Sequence, residues 1–436
     1  MTAGIVTADR VLLGPVGQVI EGGAVLFADE VIQAVGPLRD IVERAPSGAV
    51  RADFPGGSVL PGLIDCHVHL VFDAGEDPLG SLSGWHDHDL LLAMAGRARQ
   101  LLDSGVTTAR DLGDRGNLAG RLRDAIAAGH VPGPRLLTAG APVTVTGGHC
   151  WVLGGQADGV EGVRAQVRRT LRDGADLVKI MVSGGTLTAG GPPNWQPQYT
   201  PEEIRTAVRE ARRFGRPVAA HAHSTEGIAA AVAAGVDTIE HCTFTEPPAE
   251  YAVGRTERTG SRTEHADGRA DAGVPSVAAL VRAIADRGIA VCPTLHGGIN
   301  DLPPHLVDQD ELGRLLRQIG DHHAAGVRLI AGTDAGVPGA GFGRYAESLD
   351  WFTRAGLAPE DVLRIATVDS ARALGLGGRT GRIATGLDAD LLVVAGDPRE
   401  DLTVLRRPET VVIRGRWHVP SPAARRNPVT SERNPA

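Results

Sequence analysis

The chain is 436 residues long, 42% hydrophobic and 22% charged, a globular composition with enough apolar material for a large core, which excludes disordered and fibrous classes. Its 44 basic and 52 acidic residues give a net charge of −8 with no long run of one sign, so nothing in it points to nucleic acid. Met1 to Arg10 shows no basic-then-apolar leader and no apolar stretch reaches the length of a membrane span, so the chain reads as a soluble cytoplasmic protein; Cys66, Cys150, Cys242 and Cys292 are too scattered for a disulfide framework.

Residues 1–58 hold short strand-like pieces separated by glycine, such as Val19 to Ala28. From residue 59, eight β-branched runs alternate with helical segments: Val59 to Cys66, Val106 to Leu112, Pro134 to Ala139, Asp176 to Val182, Pro217 to Ala222, Val236 to His241, Gly288 to Thr294 and Val327 to Thr333. Between them, His88 to Asp103, Glu161 to Asp173, Pro201 to Phe214, Val277 to Asp286 and Gln309 to Ala324 carry apolar residues at helical spacing. Thr200 before Pro201, Glu202 and Glu203 reads as a capped helix start. This alternation predicts an α/β fold, a (β/α)8 TIM barrel over 59–378. Strand-like pieces return in 379–420, at Leu391 to Ala395 and Thr410 to Ile413, and neither end makes a core alone. The two ends are therefore expected to build one small β-sandwich-like domain, with 421–436 as a tail. Thr245 to Gly273 breaks the alternation as a polar loop of the length that serves as a lid, a binding loop or a disordered segment.

Barrel enzymes place their chemistry at the C-terminal strand ends. Here the first run ends in His67-Val68-His69, two imidazoles on one face of an extended strand. The fourth holds Lys179, the fifth ends in His221-Ala222-His223, the sixth in Glu240-His241 and the eighth in Thr333-Asp334. Imidazoles, an amine and a carboxylate from five strand ends converge on one mouth, which is a metal-binding pattern. Singly, each has a plainer reading, a packed histidine or a turn-capping aspartate. Lys179 is the only lysine beside 43 arginines. A desolvated ε-amine can become neutral, and a neutral amine adds carbon dioxide to give a carbamate whose two oxygens can bridge two cations; a guanidinium cannot do this. The lysine thus points to a site for two divalent metals. Zinc suits the mixed imidazole and carboxylate donors, and manganese or cobalt can substitute.

Leu60-Pro61-Gly62-Leu63-Ile64-Asp65-Cys66-His67-Val68-His69, Gly105 to Asp111, the strand carrying Lys179, His221-Ala222-His223, Glu240-His241 and Gly332-Thr333-Asp334-Ala335-Gly336 together resemble the amidohydrolase superfamily. The likeness is to its imidazolonepropionase-related, prolidase-like branch and spans about residues 5 to 418. Gly386 to Leu391 is similar to the stretch by which that family re-enters its small β domain. The resemblance implies that His67, His69 and Asp334 hold one metal, that His221 and His241 hold the other, and that carbamylated Lys179 bridges them. His221 takes the ligand position of its pair, leaving His223 further out over the substrate. A hydroxide shared by the metals would attack the substrate carbonyl. Asp334 would move its proton to the leaving nitrogen. His149, in Thr146-Gly147-Gly148-His149, is placed near the substrate by the same likeness, and the Tyr199 hydroxyl is a candidate donor to the developing oxyanion. Cys66 and Cys242 adjoin inward histidines, so strand alternation turns them outward as small apolar residues. His86, His88, His322 and His323 read as surface or packing residues.

The expected activity is binuclear, metal-dependent hydrolysis of an amide C–N bond in a small molecule, a dipeptide of Xaa-Pro type or an N-acyl amino acid. Its substrate would carry a carboxylate, for which Arg344 or any arginine of the Thr245 to Gly273 loop is a candidate cation, and a homo-oligomer is compatible. Lactone, cyclic-amide or phosphoester hydrolysis would use the same centre. A metal-free scaffold is disfavoured because all six donor positions are filled, and a mononuclear deaminase because it has no use for Lys179.

Overall fold

The computed structural model describes residues 3–248, 251, 274–301 and 308–421, and in it both ends of the chain enter one sheet. The N-terminal part supplies β1 (Ala3–Leu12), β2 (Val19–Ala28), β3 (Val31–Pro37) and β4 (Val50–Pro61). The C-terminal part supplies β13 (Leu391–Ala395), β14 (Pro408–Ile413) and β15 (Arg416–His418), and the seven strands run in the order β15-β14-β13-β4-β1-β2-β3. β4 is the junction, parallel to β1 and antiparallel to β13, with Val393 opposite Val59. Alternation gives the sheet two apolar faces. Val6, Val25, Val59, Leu391, Val393 and Val412 share one cluster; Ile5, Ala24, Leu26 and Ala34 share another with Ile41 of helix Leu38–Arg44. The expected sandwich-like pairing of the ends is thus a single continuous hydrogen-bonded sheet.

The run Val59 to Cys66 is divided. Val59 to Pro61 finish β4, and the first barrel strand, β5, is Leu63–Val68. The break falls at Gly62, where a Cβ would lie 2.1 Å from Thr107 Oγ1, so only glycine lets the chain pass from one sheet to the other. The remaining barrel strands are β6 (Val106–Asp111), β7 (Arg135–Thr138), β8 (Val178–Met181), β9 (Val218–Ser224), β10 (Thr238–Thr245), β11 (Ala290–Cys292) and β12 (Arg328–Leu329). All ladders among them are parallel, in two arcs, β5-β6-β7 and β8 through β12 in order. Backbone bonds close the ring on both sides. Asp176 N donates to Thr138 O (2.8 Å) and Val143 N to Lys179 O (2.8 Å); Cys66 N donates to Ala331 O (2.8 Å) and Asp334 N to His67 O (2.8 Å).

Helices follow the strands, each with an apolar stripe toward the barrel. Helix Pro201–Arg213 opens with the expected capping box between Thr200 and Glu203 and buries Ile204, Ala207, Val208 and Ala211. Complete burial of Ile204 alone is worth roughly 1.5–3 kcal/mol. Among the described residues no helix is long and apolar enough to cross a membrane. Within the Thr245 to Gly273 loop, residues 249, 250 and 252–273 lie outside the described residues, as does the tail from 422.

Candidate metal centre

His67 lies one residue before the end of β5 and His69 follows the strand, both buried, and their side chains share one face because strand residues alternate. His67 Nδ1 lies 2.9 Å from Glu240 Oε2, and His69 Nδ1 lies 3.1 Å from Gly113 O. A carboxylate and a carbonyl only accept, so both Nδ1 atoms carry a proton, and in the ligating form of each ring Nε2 presents its lone pair. These two Nε2 atoms are 3.3 Å apart and each is 3.3 Å from Asp334 Oδ1. That oxygen is buried and accepts no hydrogen bond. Three electron-rich atoms converging on one point repel one another unless a cation sits among them, so this donor set fits a divalent metal.

A second cluster adjoins the first. His221 Nε2 donates to Gly184 O (3.0 Å), which frees Nδ1. His241 Nδ1 lies 2.7 Å from Thr294 Oγ1, whose own proton goes to Pro293 O (2.7 Å); the imidazole must therefore donate, and its Nε2 is free. His223 Nδ1 lies 2.9 Å from Thr243 Oγ1. Ligand atoms of His221, His223 and His241 lie within 4.8 Å of one another, as do those of His67, His241 and Asp334, so His241 belongs to both groups. Such outer partners fix the tautomer that a metal-binding histidine needs.

Burial sets the charge states. It lowers His67 and His223 to about 4 and His149 to about 3, and carries His221 and His241 well below the ordinary histidine value, so these rings are neutral near pH 7, the form that ligates. Lys179, 1% exposed on β8, is also lowered by burial, opposed by the charges of Glu240 and Asp334. Burial alone would raise the Asp334 carboxyl, but His67 and His69 outweigh it and hold the group well below the carboxylate range.

Beneath the histidines is a layer that motif reading did not assign. Arg110 of β6 crosses the barrel interior, donating from Nη2 to Glu240 Oε1 (2.8 Å), from Nη1 to Thr238 Oγ1 (3.0 Å) and from Nε to Cys66 O (2.7 Å). Glu240 and His241 both serve the site although adjacent strand residues ordinarily face opposite ways; His241 takes φ 67° and Cys242 φ 55°, left-handed conformations that break the alternation. The argument that alternation turns Cys242 outward therefore does not apply, although its thiol is buried in the core. Burial pushes the Cys66 and Cys150 thiols up to about 12, which removes thiolate chemistry. His296, in the loop after β11, was also not singled out. Its backbone carbonyl accepts from Trp351 Nε1 (3.1 Å), its Nδ1 is buried without a partner, and the charge of Asp334 reaches it.

Other expected residues are placed unevenly. The His149 ring lies 4.7 Å from that of His221, within the cluster. Tyr199 is spent elsewhere: its hydroxyl donates to Ala157 O at 2.8 Å, leaving no proton for an oxyanion. Arg344 is engaged by Asp301 and Glu347, so its charge is already matched and it is not the free cation expected for a substrate carboxylate. His86 and His88 are exposed and stacked, whereas His322 is buried, its Nε2 without a partner.

Comparison with known proteins places the chain in a family. The model of the amidohydrolase family matches residues 58–418. Ochratoxinase from Aspergillus niger is 28% identical over 437 residues, covering 91% of this chain and 82% of that protein. Imidazolonepropionase from Chromobacterium violaceum is 27% identical over 425 residues, 90% of each chain. The crystal structure of a Xaa-Pro dipeptidase with methionine bound in its active site superposes with a TM-score of 0.77 at 27% identity, covering 96% of this chain and 100% of that one. With the donor set at the strand ends and the family match over most of its length, the chain belongs to the amidohydrolase family, hydrolases that act on amide C–N bonds.

Proposed function

We propose that this chain hydrolyses the amide bond of a dipeptide of Xaa-Pro type or of an N-acyl amino acid at a centre of two divalent ions, zinc by the chemistry of its donors. The observation that carries the reading is the convergence of the His67 and His69 Nε2 lone pairs on the unpartnered Asp334 Oδ1. His67, His69 and Asp334 would hold one ion, and His221 and His241 the other. Carbamylated Lys179 would join them, the buried amine having lost its proton before its nitrogen bonds to the carbon of carbon dioxide and sheds a second one. The Gly184 carbonyl that leaves His221 Nδ1 free supports His221 as the ligand. When bound, the ions supply Lewis-acid polarisation and a water acidified to near-neutral pKa.

The protein's own groups do the rest. Asp334, held ionised, takes a proton from the attacking water and returns it to the leaving nitrogen. His223 and His149, neutral and beside His221, face the substrate side as hydrogen-bonding groups. The test is elemental analysis of wild type and Lys179→Arg, both purified without chelator and with bicarbonate. About two metals per chain in wild type and one or none in the variant is the expected result, followed by turnover of N-acyl amino acids or dipeptides. Equal metal content in the two proteins would overturn the bridged centre.

A further inference from the structure

Aromatic side chains are scarce in this chain, with five Trp, three Tyr and seven Phe, and two of them meet where the metal centre makes no use of them. Trp195, in the segment leaving β8, packs on Tyr251, in the segment leaving β10, with ring centroids 5.2 Å apart and planes tilted by 36°. β8 and β10 flank β9 in the sheet. A contact between their outgoing segments therefore passes across the end of β9, the strand that carries His221 and His223. β9 raises no loop of its own there, because Ser224 already caps the helix Thr225–Ala234.

The base of the Trp195 segment is tied to the site. Gly184 N donates to Gln196 O (2.9 Å) and Gln198 N to Val182 O (2.8 Å), while Gly184 O accepts from His221. The Gln198 side chain accepts from His149 N (2.7 Å) and donates to Met181 O (2.7 Å). A Cβ on Gly184 would lie 2.0 Å from Pro192 O and one on Gly185 2.4 Å from the His149 ring, so the segment is folded as tightly on itself and on His149 as glycine permits. Pro192, Pro193 and Pro197 stiffen it further. Trp195 is thereby fixed relative to His221 and His149, whereas Tyr251 stands 60% exposed. Two rings packed at a tilt at the rim of a barrel mouth offer an apolar wall beside polar chemistry, the usual composition of a selective pocket.

We propose that Trp195 and Tyr251 form an aromatic rim that receives a planar apolar group of the substrate, so that the enzyme selects aromatic over small aliphatic amides. This inference rests on the hydrolytic reading above. It is tested with N-benzoyl and N-acetyl derivatives of one amino acid, on wild type, Trp195→Ala and Trp195→Phe, with metal content measured for each. Wild type should favour the benzoyl amide in kcat/KM, and Trp195→Ala should cut that preference roughly 3- to 10-fold, with Trp195→Phe retaining most of it. A preference unchanged in Trp195→Ala at equal metal content would overturn the rim. A second readout does not need turnover: 2-naphthoate should quench fluorescence in wild type and much less in Trp195→Phe, and equal quenching in both would also count against it. If neither amide is hydrolysed but quenching depends on Trp195, the rim stands and the amide reading falls.

Discussion

Replacing Arg110 with methionine probes how the floor beneath the histidines is charged. The guanidinium makes three hydrogen bonds and is 2% exposed; Glu240, fully buried, accepts from Arg110, from Thr238 Oγ1 (2.6 Å) and from His67 Nδ1. Burial alone would raise the Glu240 carboxyl, and the Arg110 charge with the His67 hydrogen bond reverses this, holding it well below the usual range. A carboxylate depressed in the folded state adds stability above its unfolded pKa of about 4.3, and that stability is lost as pH falls toward the folded value. In Arg110→Met the burial contribution dominates, the folded pKa rises above the unfolded one, and the variant loses stability as pH rises instead. Breaking a buried pair from one side costs about 3–5 kcal/mol, so urea denaturation at pH 8 should show a deficit of that size, shrinking toward pH 5. Arg110→Met with Glu240→Gln should recover more than half of it, because the amide oxygen still accepts from His67 and no charge is stranded. A deficit under about 1 kcal/mol at pH 8, or one independent of pH, would refute the reasoning.

Tyr199→Phe should cost about 1 kcal/mol in denaturation through the lost bond to Ala157 O and leave kcat within about threefold; a hundredfold loss would restore the oxyanion role. Thr200→Ala removes one arm of a reciprocal cap and should destabilise by about 1 kcal/mol without changing metal content, checked by the same denaturation and by elemental analysis. Gly336 has φ 110°, and a Cβ there would lie 2.4 Å from His69 O and 3.0 Å from Phe72 Cβ, so Gly336→Ala should push the segment after Asp334 away from the one that carries His69 and lower the bound metal; unaltered metal content would show that the two segments give way freely.

The barrel was legible because its signal is repeated. Eight β-branched runs separated by helical periods leave few other arrangements, and the histidines were found by asking what ends each run. The errors fall where tertiary contacts decide. Nothing in Val59 to Cys66 shows that Gly62 must pass against Thr107, so one run served two sheets. The eighth run, read through Thr333, is a strand only at Arg328–Leu329, because the residues after it turn their backbone bonds toward Cys66 and His67 to close the ring. Tyr199 and Arg344 are chosen for residue type and position after a strand; Tyr199 is occupied by Ala157 and Arg344 by Asp301, partners distant in sequence that no local pattern reveals, and Arg344 also by Glu347, three positions on.

Arg110 and Glu240 show the same limit from the other side. Their strands, β6 and β10, are not neighbours, and 130 positions separate the two residues, so neither spacing nor periodicity could pair them. A direct hydrogen bond joins them, and the left-handed backbone at His241 and Cys242 lets two consecutive residues serve one centre: the imidazole reaches the ligand cluster while the carboxylate reaches across the barrel to orient His67. Strand alternation, the rule that located His67 and His69 on a common face, is the rule that fails here. A site built on neutral histidines needs each tautomer fixed by an acceptor, and the fold meets that need with Gly113 O, Gly184 O, Thr294 Oγ1 and Glu240, three of them in loops or on backbone atoms that carry no residue signature. The donors can therefore be read from residue type, whereas the groups that aim them become visible only in three dimensions.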